Sequence, residues 1–246
     1  SMTAFESLGD VNLLALTNNN KAQDVVNKKQ DILDNLAQYY NLSPTKILFV
    51  GFSSFVLADF AEEITITAIS DDVKSYLTKQ NVKYKYIPEV ELLDYRKQFE
   101  VVVAVDEFFT YADSDNTQKD LVAQICNLAT DYVITTLRGY KNQDYKEREF
   151  SQPTIVKNET SSYVFLENHT WSQRDRADWE SVIYAINQQD RSMTTFGNFA
   201  RRTMYFKQLA KFSSDAGATS FLVHKNLMYK GLFKRNYEHV ITVKFD

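Results

Sequence analysis

Between residues 46 and 137 short apolar runs alternate with amphipathic stretches. Residues 46–50 (KILFV) form a continuous apolar run, as in a strand buried on both faces. Residues 54–62 read as a helix, and the β-branched run 64–69 (ITITAI) as a strand. Residues 71–80 predict a helix with Asp71 and Asp72 in its first turn, where the macrodipole favours them. Residues 82–87 alternate polar and apolar, 101–105 (VVVAV) form the most apolar strand, 117–129 a helix and 132–137 (YVITTL) another strand. Such alternation predicts an α/β fold, a mostly parallel sheet with helices on both faces.

Upstream, residues 1–20 are polar and read as a loop. Val25, Val26, Ile32, Leu33, Leu36 and Tyr40 recur near helical spacing, so 21–40 is expected to be an amphipathic helix, and 1–45 an N-terminal helical segment ahead of the α/β domain 46–246. Beyond 138 the rhythm changes. Residues 139–152 are polar, helix or loop. Stretches 163–167, 181–186 and 192–196 predict an antiparallel meander, turned at 187–190. A long basic helix is expected over 198–216, stopped near Gly217, then a strand pair at about 219–229 and 238–245. A β-rich insertion would therefore occupy about 139–197, and an antiparallel pair would close the C-terminus.

Composition narrows the chemistry. The chain has 6 glycines in 246 residues, where roughly 17 is ordinary. It contains no G-x-G-x-x-G and no G-x-x-x-x-G-K-[ST], which argues against P-loop NTPases and ordinary NAD-binding proteins. A lone Cys126 excludes a disulfide framework and a cysteine zinc site; its apolar helical setting reads as core. His169, His224 and His239 lack metal-ligand spacing, so no metal is expected, and no G-x-S-x-G elbow appears. With no long apolar run and no basic-then-apolar start, the expected location is the cytoplasm. The net charge of -4 hides a split: residues 191–246 carry ten Lys/Arg against three Asp/Glu. Arg201, Arg202, Lys207, Lys211, Lys225, Lys230, Lys234 and Arg235, interleaved with aromatics, are a candidate nucleic-acid face or the solvated side of an amphipathic helix.

The element order, with the stretch Ile47-Leu48-Phe49-Val50-Gly51-Phe52-Ser53-Ser54-Phe55 after the first predicted helix, resembles the class I S-adenosylmethionine (SAM) methyltransferases. Gly51 matches the first glycine of that family's first motif; Phe49 stands at its acidic position, and Ser53 and Phe55 at its second and third glycines. The resemblance implies SAM as cofactor. Gly51, Ser53 and Ser54 would meet the methionine carboxylate, Ser70 or Asp71 the ribose, and Pro88 would belong to an adenine wall within 87–94. Asp106 and Glu107 follow the most apolar strand at the edge where α/β ligands bind. The resemblance makes them candidates for orienting the acceptor or taking its proton, with Asp106 also near cofactor. Tyr111 and, in the insertion, His169, Trp171 and Trp179 are candidate substrate contacts, with the loop-anchoring role of the tryptophans as the plainer reading. Three readings stand: a SAM-dependent methyltransferase, a protein that keeps the fold as a binding or assembly module without the cofactor, or a nucleic-acid-binding protein using the basic C-terminal face.

Overall fold

A computed structural model describes residues 2–139, 148–172 and 177–246. Two helices, α1 (Thr3–Thr17) and α2 (Ala22–Tyr40), precede β1 (Lys46–Val50), β2 (Glu63–Thr67), α3 (Asp71–Lys79), β3 (Lys85–Tyr86), β4 (Phe99–Ala104), α4 (Asp115–Cys126) and β5 (Ala129–Leu137). The insertion follows as β6 (Arg148–Phe150), β7 (Thr154–Lys157), β8 (Ser162–Trp171), β9 (Asp178–Asn187) and β10 (Met193–Arg202). Then come α5 (Phe206–Asp215), β11 (Ser220–Lys230) and β12 (Tyr237–Lys244).

The main sheet runs β11-β12-β5-β4-β1-β2-β3. Neighbours from β5 to β3 are parallel, β12 lies antiparallel to β5, and β11 antiparallel to β12. The apolar runs predicted as central strands are central: Ile47, Leu48, Val101 and Val102 are wholly buried. The chain reverses its winding between β1 and β4, which opens a crevice at their C-terminal ends. The second sheet, β10-β9-β8-β6 with β7 also on β8, is antiparallel throughout.

Three expectations are overturned. Residues 1–20 are not a loop: α1 buries Phe5, Leu8, Val11, Ala15 and Leu16, a spacing of three and four that makes one apolar stripe. Residues 54–62 are not a helix but a single 3-10 turn, Ser54–Leu57, after which Ala58 is extended. That turn is held by α2, whose Gln30 side chain exchanges hydrogen bonds with both backbone groups of Asp59. The long helix over 198–216 is shorter. Phe199 and Arg201 alternate inward with exposed Asn198 and Ala200, a period of two, so β10 extends to Arg202 and α5 begins at Phe206. Of the stretch 139–152, residues 140–147 lie outside the described residues, as do 173–176 between the tryptophans.

Candidate functional site

Backbone in the left-handed region gathers at the crevice. Gly51 after β1 has φ 79°, Ala68 after β2 58°, and Asp106 and Glu107 after β4 61° and 56°. Left-handed conformation is cheap for Gly51 but costs about 1 kcal/mol or more for each of the others. Strain of this kind persists where surrounding structure holds a chain to a purpose.

Of the predicted cofactor residues, Gly51, Ser70 and Asp106 are met by α1, which also packs on Phe52. Gly51 faces Phe5: a Cβ there would sit 3.6 Å from the Phe5 Cβ. A Cβ on Gly9 would meet the Phe52 Cβ at 3.2 Å, so helix and turn approach closely only because one partner is glycine. Asn12 Nδ2 donates to the Phe52 carbonyl at 2.8 Å and to Asp106 Oδ2 at 3.1 Å. Ser70 caps α3 by accepting from the Val73 N–H and donates its hydroxyl to Asp10 of α1. Asp71 is fully solvent-exposed and pairs with Lys74. Pro88 opens a 3-10 segment, Glu89–Tyr95, whose Glu89 carboxylate accepts from the Met2 N–H. Ser53 and Ser54 are buried, and the Ser54 hydroxyl, like that of Thr67, has no hydrogen-bond partner. Phe49 is buried in the sheet, and Phe55 stacks on Tyr229 at 5.6 Å. With α1 in this position the crevice does not fit an adenosyl cofactor.

Asp106 and Glu107 diverge. Asp106 Oδ1 accepts from the Tyr229 hydroxyl, completing its bonds with Asn12. Glu107 turns toward the second sheet. Its Oε2 lies 3.3 Å from Lys234 Nζ and 3.6 Å from Arg201 Nη2, and its Oε1 3.8 Å from Arg138 Nε. Arg201 is fully buried between the rings of Tyr111 and Trp179, at 4.0 and 4.1 Å. It donates to Thr110 Oγ1 and to Glu167 Oε1. His169 Nε2 lies 3.2 Å from the same Glu167 oxygen. Burial acts to raise the Glu167 carboxyl, but His169, Lys234 and Arg201 outweigh it and hold it far below the usual range. Glu238, on β12, accepts from Thr136 Oγ1 at 2.7 Å and stands 3.9 Å from Lys234. Burial, then the nearby Glu107 and Asp106, push its carboxyl up to about 8 against the pull of Lys234. No sequence signal marked Glu167, Glu238 or Lys234 as members of one cluster.

His169, Trp171 and Trp179 are all buried, the tryptophans stacked at 5.2 Å and His169 4.4 Å from Trp179. His169 lines a small cavity of about 50 Å³ with Glu107, Arg138, Glu167 and Glu238. The two tryptophans line a separate hollow beside Arg201. Tyr111 lines a larger groove between α1, α4 and β10. Three of the basic residues of the C-terminal region have internal partners: Arg201 is buried, Arg202 pairs with Asp178 at 2.7 Å, and Lys234 lies 3.3 Å from Glu107. Among the described residues no cluster of His, Cys, Asp and Glu has metal-binding geometry, and no helix is long and apolar enough to cross a membrane.

No protein-family model matches the sequence, and no curated protein matches it. Solved structures do match. DesVI from Streptomyces venezuelae superposes with a TM-score of 0.65 at 11% identity, covering 92% of this chain and 94% of that one. A SAM-dependent methyltransferase from Clostridium acetobutylicum gives 0.63 at 11% identity, over 89% and 91%. SAM-bound CalS10, an amino pentose methyltransferase from Micromonospora echinaspora, gives 0.63 at 9% identity, over 89% and 91%. The likeness is one of fold: this chain has the Rossmann-like fold of the class I SAM-dependent methyltransferases.

Proposed function

From a chain with this fold, we propose a SAM-dependent methyltransferase whose cofactor crevice is closed by its own N-terminal helix. The observation that supports it is the left-handed backbone at the ends of β1, β2 and β4, strained at Ala68, Asp106 and Glu107, where ligands bind on open α/β sheets. SAM, when bound, supplies an electrophilic methyl group. Around it the chain's own residues would bind and orient: Gly51, Ser53 and Ser54 at the methionine end, Ser70 and Asp71 near the ribose, the segment after Pro88 beside the base. Asp106, released from Asn12, would face the cofactor, and Glu107, fixed by Lys234 and Arg201, would hold the acceptor side.

Opening has a cost. Lifting α1 as far as Asn12 exposes Met2, Phe5, Leu8 and Val11, about 2 kcal/mol each, of which a bound adenosyl group re-covers part. If half is re-covered, apparent affinity falls about 1000-fold below that of an open crevice. Calorimetric titration of SAM into the full chain is therefore expected to show weak binding. Gly9→Leu, which wedges α1 against Phe52, is expected to bind at least about tenfold tighter. Asn12→Ala, which removes the tie to Phe52 and Asp106, should move affinity the same way.

A second reading is favoured by the polar contacts themselves: Asn12 and Asp10 give Asp106 and Ser70 specific partners. On that reading α1 stands permanently in the cofactor's place and the protein is a non-catalytic binding or assembly module. Folded wild type and folded variants that all fail to bind SAM would establish it over the first.

A further inference from the structure

An antiparallel sheet with one face on the core ordinarily turns a polar face to water. The second sheet departs from that rule. Its inner face is marked by alternate buried side chains, Phe165, Glu167 and His169 on β8 and Ser181, Ile183 and Ala185 on β9. That face looks to the body of the molecule, where Phe165 meets Phe233 and Glu167 meets Arg201. The positions between them point the other way, and most are apolar. The register sets Ile155, Val164, Ile186 and Met193 side by side across β7, β8, β9 and β10. Leu166 and Tyr184 form the next row, ended by Thr195. In the third row Phe150 and Val182 flank Asn168. At the margins Phe150, Ile155 and Met193 are 59%, 61% and 57% exposed. Among the described residues no Lys, Arg, Asp or Glu stands on these three rows. Charge returns beyond them, at Lys157 on one side and Glu180 on the other.

Strands that are apolar on both faces are strands covered on both faces. A contiguous exposed patch of this kind marks an association surface. Its size says what could cover it. Strands β8, β9 and β10 are each ten residues long, and β6 and β7 together fill a fourth place beside β8. At about 3.4 Å per residue and about 4.8 Å per strand the face measures roughly 34 by 19 Å, about 650 Å². Two such faces would bury about 1,300 Å² in all, within the range of about 1,200–2,000 Å² for a stable specific complex. The occupant must be broad, apolar and uncharged at its centre, and this sheet is itself such a surface. Sheets pack face to face about 10 Å apart, and a two-fold axis lets one patch serve both partners. We infer that the chain forms a two-fold dimer in which the second sheet of one copy packs face to face on that of another. The inference does not rest on the methyltransferase reading, because the residues beside the crevice belong to the inner face.

The test is sedimentation velocity on the full chain between about 1 and 100 µM, where the wild type is expected to become dimeric. Tyr184→Lys sets a charge in the middle row and is expected to weaken the dimer at least about 100-fold, leaving monomer throughout. Circular dichroism shows whether that variant is folded. If it is not, the double variant Val164→Thr with Ile186→Thr decides the matter. It keeps β-branched side chains on the strands and is expected to weaken the dimer at least about tenfold. Leu222→Lys, at an exposed leucine on β11, is expected to leave the dimer intact. The proposal is overturned if the wild type stays monomeric to about 100 µM, since the face then belongs to a different partner. It is also overturned if the folded variants of the outer face remain as dimeric as wild type, or if Leu222→Lys dissociates the dimer as fully as they do.

Discussion

Glu238 is buried with three other carboxylates within reach of a few cations, and its proton follows from that crowding. One oxygen accepts from Thr136; the other has no hydrogen-bond partner. Burial first, then Glu107 and Asp106, raise its carboxyl from an ordinary 4.5 to about 8. The folded state therefore holds a proton that the unfolded chain releases as pH rises above the ordinary carboxylate range. Stability contributed by this group is complete below about pH 4.5 and is lost as pH climbs towards about 8. Glu238→Gln removes that titration. Urea unfolding of wild type and variant at about pH 5, 6.5 and 8 is expected to show the wild type losing stability relative to the variant across the series. His224, lowered by burial, works in the opposite direction but is common to both proteins and cancels in the difference. In the sequence Glu238 is one polar position in an alternating strand, as an outward-facing residue would be. Its surroundings come together only in the fold: Thr136 of β5 at 2.7 Å, with Glu107 and Asp106 after β4 close by.

At the scale of elements, strands were more legible than helices. Four of the five parallel strands announce themselves through local apolar or β-branched runs, whereas β3, only Lys85–Tyr86, lies in an alternating stretch. The helix α1 carried an equally regular stripe, Phe5, Leu8, Val11 and Ala15, but its intervening Ser, Asp, Asn and Thr residues read as a loop. Asn12, buried at 1% exposure within that stripe, breaks the apolar pattern because its task is polar: it serves Phe52 and Asp106. The 198–216 stretch misled in the other direction, since Arg201 looked like solvated helix charge while its neighbours alternate as a strand. If α1 is a closing helix, it should open more cheaply than the sheet it covers. Native-state hydrogen exchange is expected to give α1 amides a lower opening free energy than those of β1 and β4. Phe5→Ala, which removes a ring stacked 3.9 Å from Phe108, is expected to lower α1 protection further while leaving β4 nearly unchanged. Equal loss in both would make α1 part of the global fold, as the second functional reading requires.

The whole molecule is two sheets joined by charge as well as by apolar packing. Arg201 leaves the second sheet, passes between Tyr111 and Trp179, and reaches Glu107 and Thr110 at the end of β4. Its partners Glu167 and Thr110 are 34 and 91 residues away in sequence, which is why periodicity and composition had no means of showing the joint. Taking a guanidinium fully out of water is expensive, so Arg201 is retained only because each side of it is matched. Arg201→Met keeps the apolar length but strands Glu107 and Glu167 with fewer cations, and is expected to cost about 3–5 kcal/mol. Adding Glu167→Gln removes one stranded charge and should recover part of that loss, a non-additivity that independent sites would not show. The same variant tests whether the sheets fold as one unit. Where wild type is expected to unfold in a single transition, Arg201→Met is expected to separate an earlier loss, read from the second sheet's Trp171 and Trp179 fluorescence, from the later loss of main-sheet circular dichroism. Coincident transitions in the variant would mean that apolar contacts such as Phe165 on Phe233 couple the sheets without the charged joint.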